Sequence, residues 1–229
     1  FNYLEKKERR PSKKLSKKIH EYRGLHYHDV TTLAHAKKAL KAGVDGLVLV
    51  CNGAGGHGGR LNPFALVKEV RQLTTKTLWL AGALTSAEDL LAAQVIGADG
   101  IYIGTRFIAT KEAEVDDNYK QMIVDSQADD IRYTPHFTAV NANFLAKSIQ
   151  ESGLNPNSLQ PISYQKLSKL KLWFYHLRLR YNKKWKDIRS AGQGVGTITK
   201  ILSVKAYISI LEKNYNKLKE NIKKEKLIF

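Results

Sequence analysis

The sequence predicts an α/β fold built on parallel strands, and three observations carry that prediction. Between residues 24 and 110, short apolar runs of buried-strand type alternate with stretches of helical spacing. The links between them are short, so consecutive strands need crossover helices and must run parallel. A small internal repeat, "AGVDGLVLV" at 42–50 and "IGADGIYIG" at 96–104, puts glycine after a helix and Asp-Gly before a strand both times.

Taken in order, "GLHYHDV" (24–30) alternates as a strand, and "TLAHAKKALKAG" (32–43) has helical spacing and ends on glycine. "DGLVLVC" (45–51) is a continuous apolar run of buried-strand type. Asn62, Pro63 and "FALVKEVRQL" read as N-cap, N1 proline and helix. "TLWLAGA" (77–83) is the third strand. "SAEDLLAAQVIG" (86–97) is a helix opened by the capping-box pair Ser86 and Asp89, and "GIYIGTRF" (100–107) is the fourth strand. Four such units take up fewer than 90 residues. An eightfold (β/α) barrel needs about 250, so the pattern is half of one or a small open sheet. Beyond Thr110, "EAEVDDNYKQMIVDSQ" (112–127) and "NANFLAKSIQESG" (141–153) read as helices. "SYQKLSKLKLWFYHLRLRYNKKWKDI" (163–188) is basic and aromatic without a period, and 199–226 is an amphipathic helix or helix pair.

Composition narrows the class. A 229-residue chain with 43% hydrophobic residues can bury a core, which excludes global disorder. The single cysteine, Cys51, leaves no internal disulfide framework and fits a reducing, cytoplasmic setting. No apolar run reaches the roughly 18 residues of a membrane span, and the charged start has no signal-peptide character. The chain opens on Phe1 and its one methionine is Met122, so it reads as a piece of a longer or processed product. The formal charge of +17 sits in the flanks: 9 Lys+Arg against 3 Asp+Glu in 1–24 and 17 against 4 in 160–229, with 12 against 14 between. We read these flanks as solvated surface, the alternative being a face for nucleic acid or acidic lipid.

Polar and glycine-rich residues fall at the carboxyl ends of all four strands: His28 and Asp29, then Asn52 with "GAGGHGG" (53–59), then Gly82 and Ala83, then Gly104 and Thr105. Barrel and doubly wound enzymes place their chemistry on that edge. Glycines ending the last two strands suit a phosphate cradle of main-chain amides, though they also suit simple relief of packing. In the second stretch, glycines would let the backbone approach a flat ligand, leaving the His57 imidazole to act as acid, base or donor. A flexible loop with an exposed histidine accounts for the same residues equally well. His26 and His28 share a strand face without a third ligand at suitable spacing, so no metal site is assigned. Cys51 reads as a small buried hydrophobe, and Trp173, Phe174 and Tyr175 as helix-packing aromatics rather than a base-stacking platform.

The motifs "YHDV" (27–30), "NGAGGHGG" (52–59), "LAGAL" (80–84), "GADGIYIGTRFIAT" (97–110), "YKQMIVDS" (119–126) and "WKDIRSAGQGVG" (185–196) occur in order. Together they resemble the nitronate monooxygenase family, the 2-nitropropane dioxygenase-like flavoproteins, over roughly 20–155 and 184–212. That resemblance implies an FMN-dependent (β/α)8, TIM-type barrel oxidising alkyl nitronates with O2. It makes His57 the active-site histidine and puts Gly55 and Gly56 close to the flavin. Gly82 and Ala83 match a Gly-Gly turn receiving the FMN phosphate, with alanine a departure in the second place. Gly104 and Thr105 match the second phosphate element, and Gln193 and Gly194 a Gly-Gln-Gly element near the ring. The four strands then correspond to the fifth through eighth of the barrel, and the N-terminal barrel half is not in this chain. The expected organisation is a basic head (1–23) in place of the helix leading into the fifth strand, a flavin-binding half-barrel (24–155), a basic aromatic linker (156–183) and a C-terminal element with a helix (184–229). Two copies could pair as a homo-oligomer to close the barrel. A flavin-dependent enoyl-acyl-carrier-protein reductase shares the same loop and phosphate elements, and a non-catalytic barrel remnant with basic flanks is the third reading.

Overall fold

Four parallel strands form the main sheet: β1 (Tyr27–Val30), β2 (Gly46–Val50), β3 (Thr77–Ala81) and β4 (Gly100–Ile101). They lie in chain order β1-β2-β3-β4, with no reversal of the kind that marks a doubly wound sheet. The computed structural model describes residues 11–138, 140–159 and 187–224. The aromatic stretch around Trp173 lies outside the described residues.

Each helix before β4 starts where its cap stands. Thr32 caps α2 (Leu33–Lys41) by accepting from the His35 amide, and Asn62 caps α3 (Pro63–Arg71) by accepting from the Phe64 amide at 2.8 Å. Ser86 and Asp89 make the full capping box of α4 (Ala87–Val95). The basic head holds a helix as well, α1 (Lys13–Glu21), capped by Ser12. Buried Ser16 ties it down with a hydroxyl 2.9 Å from His26 Nδ1. Where the head was expected to stand in place of a helix, residues 13–21 form one, with the charged residues of that segment exposed.

The internal repeat has a structural meaning. The Asp45 carboxylate accepts from the His26 amide at 2.7 Å and pairs with His20 Nε2 at 2.8 Å, and Asp99 accepts from the Leu78 amide and Arg71 Nη2, both at 2.7 Å. Each aspartate thus clips the start of the preceding strand and pairs with a nitrogen-bearing side chain from the helix before it. The glycine that follows seats an aromatic ring: a Cβ at Gly46 would lie 2.4 Å from the Tyr27 ring, and one at Gly100 would lie 2.5 Å from that of Trp79.

Two compact units divide the chain. The first comprises 1–52, 59–103 and 208–229 and holds this sheet. Its core joins Val30, Leu47, Leu49, Leu78 and Leu80 from the strands to Ala36, Ala39, Leu66, Val67 and Val70 from the helices. Burying such side chains contributes about 1.5–3 kcal/mol each for the larger ones.

The second unit comprises 53–58 and 104–207. It contains α5 (Thr105–Ile108), α6 (Asp117–Asp125), the antiparallel pair β5 (Ile131–Thr134) and β6 (Ala142–Leu145), α7 (Ala146–Glu151) and a 3-10 turn (Gln193–Thr197). Met122, Ile123, Ile131, Leu145, Ala191, Val195 and Ile198 form its core. The last helix, α8 (Val204–Lys224), has its first turn here and its remainder in the first unit. Arg106 is buried here, donating to the Ala109 carbonyl at 2.8 Å and lying over the Tyr207 ring at 4.8 Å.

Three expected elements differ. The fourth strand ends at Ile101, because Gly104 takes helical angles (φ −114°, ψ −66°) and starts α5 instead of extending to Phe107. The helix expected over 112–127 begins only at Asp117, capped by the Asp116 carboxylate. Residues 142–145 are a buried strand rather than a helix. Pairing with β5 and hydrogen bonds from Asn143 to Gly56 and from Leu145 to Arg189 override the local helical spacing.

Candidate functional site

The glycine-histidine stretch is not a loose loop. Gly53 O accepts from the Gln193 amide at 2.8 Å, and Ala54 O accepts from Asn143 Nδ2 at 2.7 Å. The Gly56 amide donates to Ser190 Oγ at 2.6 Å, and Gly56 O accepts from the Asn143 amide at 2.8 Å. Gly58 O accepts from Tyr133 Oη at 3.1 Å. Each bond is worth about 0.5–1.5 kcal/mol net, and together they fix the backbone on both sides of His57 while its side chain stays exposed. The backbone of this stretch is therefore anchored rather than flexible, with the His57 side chain on its exposed side.

The partners are themselves held. Asn143 is 2% exposed, and its carbonyl accepts from the Ser190 hydroxyl at 2.7 Å. Tyr119 Oη donates to Ser190 O, and the Arg189 guanidinium lies 5.2 Å from the Tyr119 ring centre. Burial pushes the Tyr119 phenol above its ordinary range, against the opposing pull of Arg189.

The second unit gathers most of the expected site residues. Thr105 Oγ1 accepts from the Gly192 amide at 2.9 Å, so Thr105 and the 190–193 segment meet directly. A Cβ at Gly55 would lie 3.0 Å from Gly192 N and 3.1 Å from Thr105 Oγ1, so the chain's own backbone explains the glycine there. Gln193 is exposed and Gly194 buried within the 3-10 turn. A Cβ at Gly104 would meet nothing within 4 Å, and no side chain caps the turn that starts there. Relief of packing does not account for Gly104.

Gly82 and Ala83 belong to the first unit, at the end of β3. Both have left-handed φ, +136° and +57°. A Cβ at Gly82 would fall 2.7 Å from the Asn52 carbonyl, so this glycine is also required by the neighbouring strand. His26 is buried with its pKa lowered, chiefly by desolvation, and its ring packs edge-on to His28 at 5.9 Å. Among the described residues no cluster of three metal-ligating side chains exists. Cys51 is fully buried, its thiol pushed up to about 12 by desolvation. No described helix is long and apolar enough to cross a membrane.

Sequence reasoning missed Asn143, Ser190, Tyr133 and Tyr119 as site residues. Ser190 and Tyr119 stood inside recognised motifs, whereas Asn143 and Tyr133 carried no local signal.

Comparison with known proteins follows the same lines. The nitronate monooxygenase family profile matches residues 7–214. A nitronate monooxygenase of Paraburkholderia phytofirmans is 29% identical over 143 residues, covering 58% of this chain and 39% of that protein. A probable nitronate monooxygenase of Bacillus subtilis is 26% identical over 191 residues, 79% of this chain and 54% of that protein. The chain thus spans between about two fifths and a half of these relatives' length. FabK from Thermotoga maritima superposes with a TM-score of 0.75 at 23% identity, over 92% of this chain and 67% of that one. Nitroalkane oxidase from Streptomyces ansochromogenes superposes with a TM-score of 0.72 at 22% identity, over 93% and 63%. Such likenesses at this identity establish the fold alone. The matched span covers nearly all of the chain and every motif that meets in the second unit, and the chain belongs to the nitronate monooxygenase family.

Proposed function

We propose that the chain acts in FMN-dependent oxidation of alkyl nitronates by O2, as the part of a TIM-type barrel that carries its fifth to eighth strands. The observation that carries this reading is the anchored stretch 53–58, which offers an exposed imidazole from a fixed backbone. The sheet's sequential parallel order supports the barrel assignment. FMN fits the residues present: Gly104 leaves open space before an uncapped turn, and the consecutive left-handed angles at Gly82 and Ala83 shape a second one. In the second unit the main chains of Gly104 and Thr105 would hold the phosphate, with Gly55, Gly56, Gln193 and Gly194 toward the ring; in the first, Gly82 and Ala83 keep the role of a phosphate turn that the family resemblance gives them. The chemistry that FMN supplies when bound is acceptance of an electron from the nitronate and its delivery to O2. His57 holds the nitronate oxygens through an imidazole N–H, or takes the α-carbon proton of a neutral nitroalkane onto an imidazole nitrogen.

Denaturation of the purified protein should release FMN, identified by its absorbance and fluorescence. A folded, colourless preparation that takes up no FMN overturns the proposal. His57→Asn should retain flavin while nitronate turnover falls about a hundredfold or more, as for loss of an acid-base group. Flavin bleaching that requires NAD(P)H would move the assignment to an enoyl reductase. Salt-sensitive retention on DNA without flavin would move it to a binding remnant. Closure of the barrel by a second copy predicts a dimeric mass on sizing, and a monomer excludes it.

A further inference from the structure

Gly55 and Gly192 meet back to back. A Cβ on Gly192 would fall 2.5 Å from Gly53 O and 2.9 Å from Gly55 N, closer than side chains approach backbone. The Gly192 amide serves Thr105 Oγ1 at 2.9 Å, and the next amide, Gln193, serves Gly53 O at 2.8 Å. Two residues earlier, the Ser190 hydroxyl accepts from the Gly56 amide and donates to the Asn143 carbonyl, using both its capacities. One short segment therefore grips both the histidine stretch and the Thr105 element.

We infer that residues 190–193, with Asn143, form a positioning clamp that sets the spacing between His57 and the Gly104–Thr105 turn. The clamp uses the Ser190 and Asn143 side chains and the Gly192 and Gln193 amides, all of which bond within the protein. The clamp acts through the backbone it holds, so one displacement reaches the histidine and the phosphate turn together. Ser190 works on the histidine side alone, whereas Gly192 works on both. This inference rests on the proposed function for its catalytic consequence, while the clamp itself is measurable without flavin.

The test uses the full chain with Ser190→Ala, Ser190→Thr and Gly192→Ala. In Ser190→Ala the lost acceptor should speed amide exchange of Gly56, read by NMR without flavin, by about tenfold, and Ser190→Thr should restore it. With FMN bound, Ser190→Ala should lower nitronate kcat roughly tenfold while the FMN dissociation constant stays within about twofold. Gly192→Ala should shift both quantities by about tenfold or more. Unchanged Gly56 exchange in folded Ser190→Ala overturns the clamp, as does Gly192→Ala moving only one of the two functional readouts. Should Gly192→Ala fail to fold, the Ser190 pair decides by itself. Exchange that responds in a chain taking up no FMN overturns the clamp's catalytic role along with the flavin proposal, but keeps the hydrogen-bond clamp.

Discussion

The two compact units are held together by different kinds of interaction. The first is organised by neighbours in sequence: the helices before β4 each have their own cap, and the Asp-Gly repeat clips β1 to β2 and β3 to β4. The second is organised by partners far apart in the chain. Gly56 and Ser190 are 134 residues apart, Ala54 and Asn143 are 89 apart, and Thr105 and Gly192 are 87 apart. A scaffold assembled from local units tolerates change at its surface. A site assembled by distant side-chain-to-backbone bonds concentrates its sensitivity in a few polar residues.

The strongest contrast comes from one deletion in each unit. Leu78 is fully buried in the first core, and Leu78→Ala should cost about 3 kcal/mol in urea unfolding through lost burial and the cavity left behind. Asn143→Leu keeps volume but leaves the Ala54 carbonyl without its donor, a cost of about 1–3 kcal/mol. By amide exchange, the first substitution should loosen β2 and β3, and the second should loosen 53–58 while leaving those strands protected. Uniform loosening by both would mean that the chain unfolds as one cooperative block and that the contrast has no energetic content.

This division also separates what the sequence made legible. The strands 45–51 and 77–83, the Asn62-Pro63 start and the Ser86–Asp89 box follow from local periodicity and capping chemistry. All of them appear with ends within about two residues of expectation. Strand β6 did not, because "ANFL" is strand only by virtue of Ile131–Thr134 on one side and Gly56 and Arg189 as further partners. Asn143 illustrates the limit for the site. Its side chain meets a carbonyl 89 positions away, and nothing near it in the chain announces that contact. The glycines at 53–59 were visible, but for Gly55 the reason lay in Gly192, which only the folded backbone brings alongside.

Titration sharpens the comparison with smaller effects of opposite sign. Burial lowers the His26 pKa, so its contribution is present above its ordinary value of about 6.5 and is lost as pH falls. The backbone bond from His26, followed by the His20 side chain, holds the Asp45 carboxyl below its ordinary range. That contribution is present above about pH 3.8 and disappears as pH falls further. Burial raises the Tyr119 phenol, so stability in the second unit is complete below about pH 10 and is lost as pH rises through the folded value. Acid should therefore open the first unit before the second, as read by amide exchange across pH, whereas base weakens both, through the buried Cys51 thiol in the first unit and the Tyr119 phenol in the second. Asp45→Asn should flatten the lower acid limb, and Tyr119→Phe the basic one. An acid limb unchanged in Asp45→Asn would remove the clip from the account of the first unit.

The smallest effect concerns a single methyl group. Ala83 holds φ +57°, a left-handed angle that costs a residue with a Cβ about 1–2 kcal/mol. Glycine would remove that cost but brings a more disordered unfolded chain, offsetting about 0.4–1 kcal/mol. Ala83→Gly should thus stabilise the protein by roughly 0.5 kcal/mol, a small rise in the urea midpoint at unchanged m-value. Next door the sign reverses. Gly82→Ala adds a methyl at φ +136° whose carbon would sit 2.7 Å from the Asn52 carbonyl, so it should destabilise by about 1–3 kcal/mol. Opposite signs at adjacent positions are what a backbone held left-handed at both residues requires. If Ala83→Gly instead destabilises, the turn relaxes to an ordinary angle at Ala83, and its left-handed shape can no longer be counted among the features that fit a phosphate.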